Sequence, residues 1–443
     1  MRLSWLLSFP ATLVLATTAA GAQSLQITTQ STEARQLFAR GMDQLSNFRL
    51  VDAESTFSAA ARVDSSAPMP LAMLAYLQQW ELRSGATLAV RAVRLARSAT
   101  PAEASFAAAV QALDAGNGPE MIRRANELRA QEPSSWLPTL LLFDLAFIQR
   151  QDDAEAERLL RADLPRHPHN NFLTNALGYA LRYQGKKAEA RAIFEANARE
   201  HADEPNPWDS LGNEYMSLGM TDDAIRAYER GVRIDSTFRF PEYFGTAVPI
   251  HLAAAYLAAH RPDDAERSLR AWLRAWPSDA HGYDALGELY RRTGRLAEAA
   301  TELQHALAIQ PSLTSARDRL VRTRTAQGDE AFSEAFRKHY GAALGALYTT
   351  TAQLLPSGSP AVEGVNAIDR YWAVVEQSGA TDDQLQTTEQ YVGADGKTDT
   401  DVGRYRLIAG DHTADQGKYI VVWQSTPQGW RILRQMWTTD RTP

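Results

Sequence analysis

The sequence predicts an all-α superhelix of stacked helix pairs followed by an α+β domain. Three observations predict it. Small residues recur at Gly178, Gly212, Ala253 and Gly287, spaced by 34, 41 and 34 residues. Turn positions climb the same ladder at Gly185, Gly219, His260 and Gly294. After Gly328 the apolar pattern changes from helical to alternating. Two short helices cannot bury their apolar faces alone, so copies of such a unit stack. Helices first and antiparallel strands afterwards is the α+β order.

Composition sets the outer bounds. The chain has 443 residues, enough for two or three domains, and a formal net charge of −7. An acidic balance argues against a nucleic-acid partner, whose phosphates need a basic surface. Met1 to Ala22 reads as a secretory signal: Arg2 supplies the positive start, Leu3 to Ala16 is mostly apolar, and Ala20-Gly21-Ala22 offers a cleavage site. The expected location is therefore periplasmic or secreted, with the signal removed after Ala22. A membrane anchor is the alternative, but the apolar run is short for a span, and no later run is long enough for one. The sequence contains no cysteine, so neither a lipidated cysteine nor a disulfide is expected.

Residues 23–33 are polar and expected to be flexible. Residues 34–312 then divide into about eight helix pairs. Repeats begin at Ala34, Pro68, Ala102 and Trp136, slip by one residue at His167-Pro168-His169, and resume at Asn171, Pro205, Thr246 and Ala280. Leu140 to Ile148 is strongly apolar but interrupted by Asp144, which fits a buried helix. Seven extra residues fall between Ile234 and Thr246, in an aromatic stretch that is either a binding loop or one tucked against its own repeats. The arginine-rich helix 313–327 reads as a cap.

Trp208, Leu211, Gly212, Tyr215, Gly219, Ala224 and Tyr228 carry a pattern that resembles the tetratricopeptide repeat (TPR). The resemblance implies a curved solenoid whose first helices line a partner-binding groove. Carried onto this sequence, it places Phe172, Asn175, Tyr179 and Arg182, then Asn206, Asp209, Asn213 and Met216, then His281, Asp284, Glu288 and Arg291 on that groove. Asp209 and Asp284 stand where capture of a C-terminal carboxylate needs lysine, so a peptide of some basic character is the expected ligand.

From residue 328 the chain reads as a second domain, 328–443. A helix over Asp329 to Tyr340 and a short one over Gly341 to Tyr348 lead to a strand at Ala352 to Leu355 and a helix over Gly364 to Gln377. Strand-like runs then cover Gln384 to Val392, Asp401 to Ile408, Gly417 to Gln424 and Trp430 to Thr438. Ala346-Leu347-Tyr348, Tyr371-Trp372, Gly403-Arg404-Tyr405, Gly417 to Trp423 and Gly429-Trp430-Arg431-Ile432 give this segment a resemblance to the NTF2-like superfamily, of the SnoaL-like and DUF4440 kind. That implies a cone-shaped sheet wrapped on helices, with a pocket at one end and pairing of two copies through the sheet. Tyr348, Trp372, Tyr405, Tyr419, Trp423 and Trp437 are the candidate lining of a pocket for a small apolar ligand, or else the packing of the cone. Members that move protons use pocket carboxylates. Two of the usual positions are neutral here, at Thr349 to Thr351 and at Gln435.

No phosphate loop and no nucleophile elbow occurs. His167 and His169 lack the further ligands a metal needs, and His339 and His412 lack an assured partner. No cofactor, metal or catalytic residue is expected. The leading expectation is an exported, non-catalytic scaffold that binds proteins; a SnoaL-like enzyme or small-molecule binder with the repeats as a targeting arm is the alternative.

Overall fold

A computed structural model describes residues 27–241, 245–338, 344–377 and 379–440. Eight helix pairs run from α1 (Thr32–Ser46) and α2 (Leu50–Val63) through α3 (Pro68–Gln78) and α4 (Ala86–Ala96), α5 (Pro101–Asp114) and α6 (Gly118–Gln131), to α7 (Leu137–Phe143) and α8 (Asp153–Asp163). The series continues with α9 (Asn171–Tyr183) and α10 (Lys187–Glu200), α11 (Pro205–Ser217) and α12 (Thr221–Ile234), α13 (Val248–Ala258) and α14 (Pro262–Ala275), α15 (Ala280–Arg292) and α16 (Leu296–Ile309). Each of the eight first helices begins within two residues of its expected start.

In three pairs the small residue has a steric cause. A Cβ on Gly178 would sit 2.6 Å from the Phe194 ring, one on Gly41 2.6 Å from Phe57, and one on Gly287 2.6 Å from Leu303. In each pair the large residue lies sixteen positions later and is fully buried. The glycine thus lets the second helix close on the first. At the turns Gly185, Gly219 and Gly294 are left-handed with φ of 73° to 76°, and His260 holds the same conformation at φ 57° without glycine's freedom.

Packing divides the chain into two compact units. One contains the described residues up to Glu214 with Phe240 and Pro241; the other contains Tyr215–Arg239 and the described residues from Gly245 onward. The division falls inside α11, whereas the sequence places its boundary at 328. In the first unit Phe240 packs edge-on against Phe48, and in the second Arg239 lies over the Trp276 ring. With Phe238 and Phe240 both buried, this part of the insertion is tucked in; Tyr243 and Phe244 lie outside the described residues.

In the second unit one helix runs across the expected boundary. The expected cap helix and the expected first helix of the next domain are one continuous helix, α17 (Thr314–Arg337), with Gly328 inside it. Its first half closes the last repeat, where Leu313 and Ala316 join Ala280, Leu303 and Ala306 in one core. Its second half supplies Phe332 and Phe336 to the core of the sheet domain. That domain has strands β1 (Tyr348–Leu355), β2 (Val362–Glu363), β3 (Asp382–Val392), β4 (Thr398–Ala409), β5 (His412–Thr426) and β6 (Gly429–Thr439), with helix α18 (Val365–Gln377) between β2 and β3. The sheet order is β2-β1-β6-β5-β4-β3; β1 runs parallel to β6 and the other neighbours are antiparallel. Tyr348, expected at the end of a short helix, opens β1; the start of that helix and His339 lie outside the described residues. No described helix is long and apolar enough to cross a membrane.

Candidate functional site

The predicted groove residues fall into two groups. Phe172, Asn175, Asn206, Asp209 and Asp284 are buried, at 2%, 2%, 2%, 2% and 5% exposure, so they support the repeats from within rather than reach out to a partner. Tyr179, Arg182, Asn213, Met216, His281, Glu288 and Arg291 are half-buried. In the first unit Asn213 donates to Asp209 Oδ2 at 3.0 Å, the Tyr179 hydroxyl donates to Ser210 at 3.4 Å, and Arg182 lies 3.7 Å from Glu214. In the second unit the α15 face holds α17. Ser315 donates to Asp284 Oδ2 at 2.7 Å, Arg319 pairs with the same oxygen, and Glu288 binds Arg291, Arg292 and Arg319. Opposite charges therefore weld α15 to the helix that enters the sheet domain.

The sheet's inner face follows from register, because residues directly opposite each other share a face. Gly403 pairs with Tyr419 and Tyr419 with Trp437; Asp401 pairs with Val421 and Val421 with Gln435; Asp399 pairs with Trp423. Tyr419, Val421 and Trp423 are buried, so theirs is the inward face. Of the candidate pocket aromatics, Tyr348, Trp372, Tyr419 and Trp423 are core residues, and Tyr405 and Trp437 are partly buried against them. Trp372 Nε1 donates to the Tyr348 hydroxyl at 3.0 Å, and that hydroxyl donates to Gln435. Of the two neutral family positions, Gln435 thus belongs to a hydrogen-bonded core, while Thr350 and Thr351 are exposed.

Acids stand elsewhere on this face. Asp399 and Asp401 are wholly buried on β4, and Asp383 is 7% exposed on β3. Asp329 of α17 is half-buried and feels the charges of all three. Thr325 donates to Asp399 at 3.0 Å, while Trp423 Nε1 and Gln390 Nε2 donate to the two oxygens of Asp401 at 2.9 and 2.8 Å. Burial pushes Asp401 up to about 6 and Asp383 up to about 7, against the donors that favour the Asp401 anion. Burial, then the neighbouring acids, raises Asp329 well above the ordinary carboxylate range. The cluster can hold protons near neutrality, and so can donate a hydrogen bond to a ligand or exchange a proton with it. Among the described residues no group of three or more His, Cys, Asp or Glu has the geometry to hold a metal ion.

Sequence reasoning missed these four acids. Its signal was Asp399-Thr400-Asp401, two acids on one face of a strand; the expected strand began only at Asp401, which left Asp399 in a turn.

The tetratricopeptide repeat family model matches residues 206–238 and 280–313. Among solved structures, yeast Tom70 is similar at 14% identity and a TM-score of 0.50, over 69% of this chain and 67% of that one. The APC/C hetero-tetramer Cut9-Hcn1 gives 18% identity and a TM-score of 0.47, over 65% of this chain; the chain spans 55% of that one. An NTF2-like protein with a cystatin-like fold from Novosphingobium aromaticivorans is 16% identical with a TM-score of 0.27, covering 30% of this chain and 94% of that one. No curated protein matches the chain. These likenesses speak to fold. The tetratricopeptide repeats support a protein-interaction scaffold.

Proposed function

We propose that this chain is an exported scaffold, that the first helices of its repeats bind a protein or peptide partner, and that its NTF2-like domain holds a small ligand. The observation that carries the scaffold reading is the repeat itself: eight helix pairs in register, two of them matching the tetratricopeptide model. The contact residues of the partner are Tyr179, Arg182 and Asn213 in the first unit and His281, Glu288 and Arg291 in the second, which keep exposed surface. The reading is tested by placing a photo-crosslinking side chain at Arg182, at Arg291, and at the exposed control sites Arg62 and Arg267, in the full chain in its native cells. Adducts specific to Arg182 and Arg291 support it; equal adducts from all four sites overturn it. Mass mapping of the mature N-terminus tests export, which requires a chain starting at Gln23.

A second reading, an acid–base enzyme or small-molecule binder with the repeats as a targeting arm, draws its support from Asp401 and Asp383, whose raised pKa values suit proton exchange near neutrality. It predicts that Asp401→Asn abolishes any turnover or ligand-induced stabilisation found by screening the full chain against small polar and apolar metabolites. A hit indifferent to that substitution counts against it. The outer face of the sheet carries Val402, Ile420 and Met436 in one cross-strand row, which supports pairing with a second copy.

A further inference from the structure

Two irregular turns in the first unit, at the ends of α3 and α7, flank a half-open cavity. The buried helix α3 ends in a 3-10 turn, Gln79–Glu81, followed by a left-handed Leu82 at φ 52°. Helix α7 widens into a π-helical turn, Asp144–Gln149, followed by a left-handed Gln151 at φ 52°. Non-glycine residues in this conformation and single π turns both cost energy and concentrate at functional positions. Between the two turns lies a cavity of about 60 Å³ lined by Gln79, Trp80, Asp144, Ile148 and Gln149.

Asp144 is 3% exposed and is the one charge in the apolar run 137–148. The Tyr76 hydroxyl donates to its Oδ2 at 2.6 Å. That bond leaves Asp144 Oδ1 buried and without a partner among the described residues. Gln79 Nε2 is likewise buried and unpartnered. No basic side chain is among the lining residues. A buried carboxylate without a counter-charge is costly, so it invites a cation from outside.

The lining selects the kind of cation. A metal ion needs several oxygens, and a guanidinium needs a pair of parallel acceptors. One free carboxylate oxygen, an indole wall and an isoleucine suit a compact positive head on a short alkyl stem. We propose that this cavity binds a primary ammonium group, of a small alkylamine or of a lysine side chain, with Asp144 Oδ1 as acceptor and Trp80 as wall. The Gln79 and Gln149 amides stand at the mouth, where Gln149 is exposed and Gln79 half-buried. Turning about its last bond lets Gln79 offer its carbonyl to a remaining N–H.

The site is pH-dependent. Burial raises Asp144 to about 7, and the Tyr76 bond opposes that rise. The charged groups on neighbouring elements are Glu81 after α3, Arg150 at the end of the π turn, and Glu155 and Glu157 of α8, the last two paired with Arg158 and with Arg161 and Lys186. What acts on the Asp144 carboxyl itself is burial and Tyr76. The anion that binds ammonium forms as pH rises through about 7.

Calorimetric titration of the full chain with ethylammonium chloride, against potassium chloride at equal ionic strength, tests the proposal. Saturable binding at pH 8 is expected, roughly tenfold weaker at pH 6 and lost in Asp144→Asn. Tighter binding of lysine amide than of ethylammonium assigns the site to a protein side chain; the reverse assigns it to a free amine. Heat indistinguishable from potassium chloride, as for a cavity that holds water only, overturns the proposal, and so does ethylammonium binding that Asp144→Asn retains. Should Asp144→Asn fail to fold by circular dichroism, the wild-type comparison decides alone: equal affinity at pH 6 and pH 8 refutes the site.

Discussion

Gly328→Ala has opposite expected signs in the sequence and in the structure. Read from sequence, Gly328 is a junction between domains, and alanine there would stiffen a linker at little cost. In the structure it lies inside α17, where alanine gains about 1 kcal/mol of helix propensity. Its new Cβ, however, would sit 2.4 Å from the end of the Trp423 indole. That indole is wholly buried and held by its hydrogen bond to Asp401 at 2.9 Å, so it cannot swing aside. Overpacking of this kind costs roughly 1–3 kcal/mol. The net expectation is a loss of about 1 kcal/mol, confined to the sheet domain. Because the chain has two compact units, a single unfolding midpoint is a poor measure. Native-state hydrogen exchange of β5 amides reads the local effect. In a Trp423→Phe background, which removes the obstructing ring, Gly328→Ala should become stabilising. Stabilisation by Gly328→Ala in the wild-type background would refute the continuous helix packed on Trp423.

Three further outcomes are expected. His260→Gly relieves a left-handed residue at φ 57° and should stabilise its repeat by about 1 kcal/mol, read as slower exchange in α13 and α14. Arg319→Ala leaves buried Asp284 with Ser315 alone and should cost about 2 kcal/mol, with faster exchange in both α15 and α17. Asp401 is protonated more readily folded than unfolded, so its favourable contribution is complete below the unfolded pKa near 4 and lost as pH rises through about 6. Wild-type stability of the sheet domain should therefore fall over that window by on the order of 2 kcal/mol more than that of Asp401→Asn, measured by exchange at pH 4 and pH 7.

Much of the architecture was legible because it rests on local sterics. A glycine facing Phe194 or Leu303, and a left-handed turn at Gly219, demand particular residues at particular intervals, and those intervals are visible in the sequence. The strands were legible for the same reason, since alternation marks the buried face. The extent of β4 was not, because Asp399 reads as a turn residue and is buried only through Thr325 and Trp423, which come from distant parts of the chain.

The sequence by itself determined the repeat register and the starts of the first helices of the repeats, since each depends on neighbours within about one helix pair. Only the tertiary structure decided that Asn175, Asp209 and Asp284 are interior. It alone showed that a single helix serves both the last repeat and the sheet domain, and that Asp383, Asp399 and Asp401 are buried on the sheet's inner face. A polar side chain carries no mark of its own burial. Whether Asp284 meets water or Arg319, and whether Asp144 stands alone in an apolar run or accepts from Tyr76, depends on residues far away in the chain.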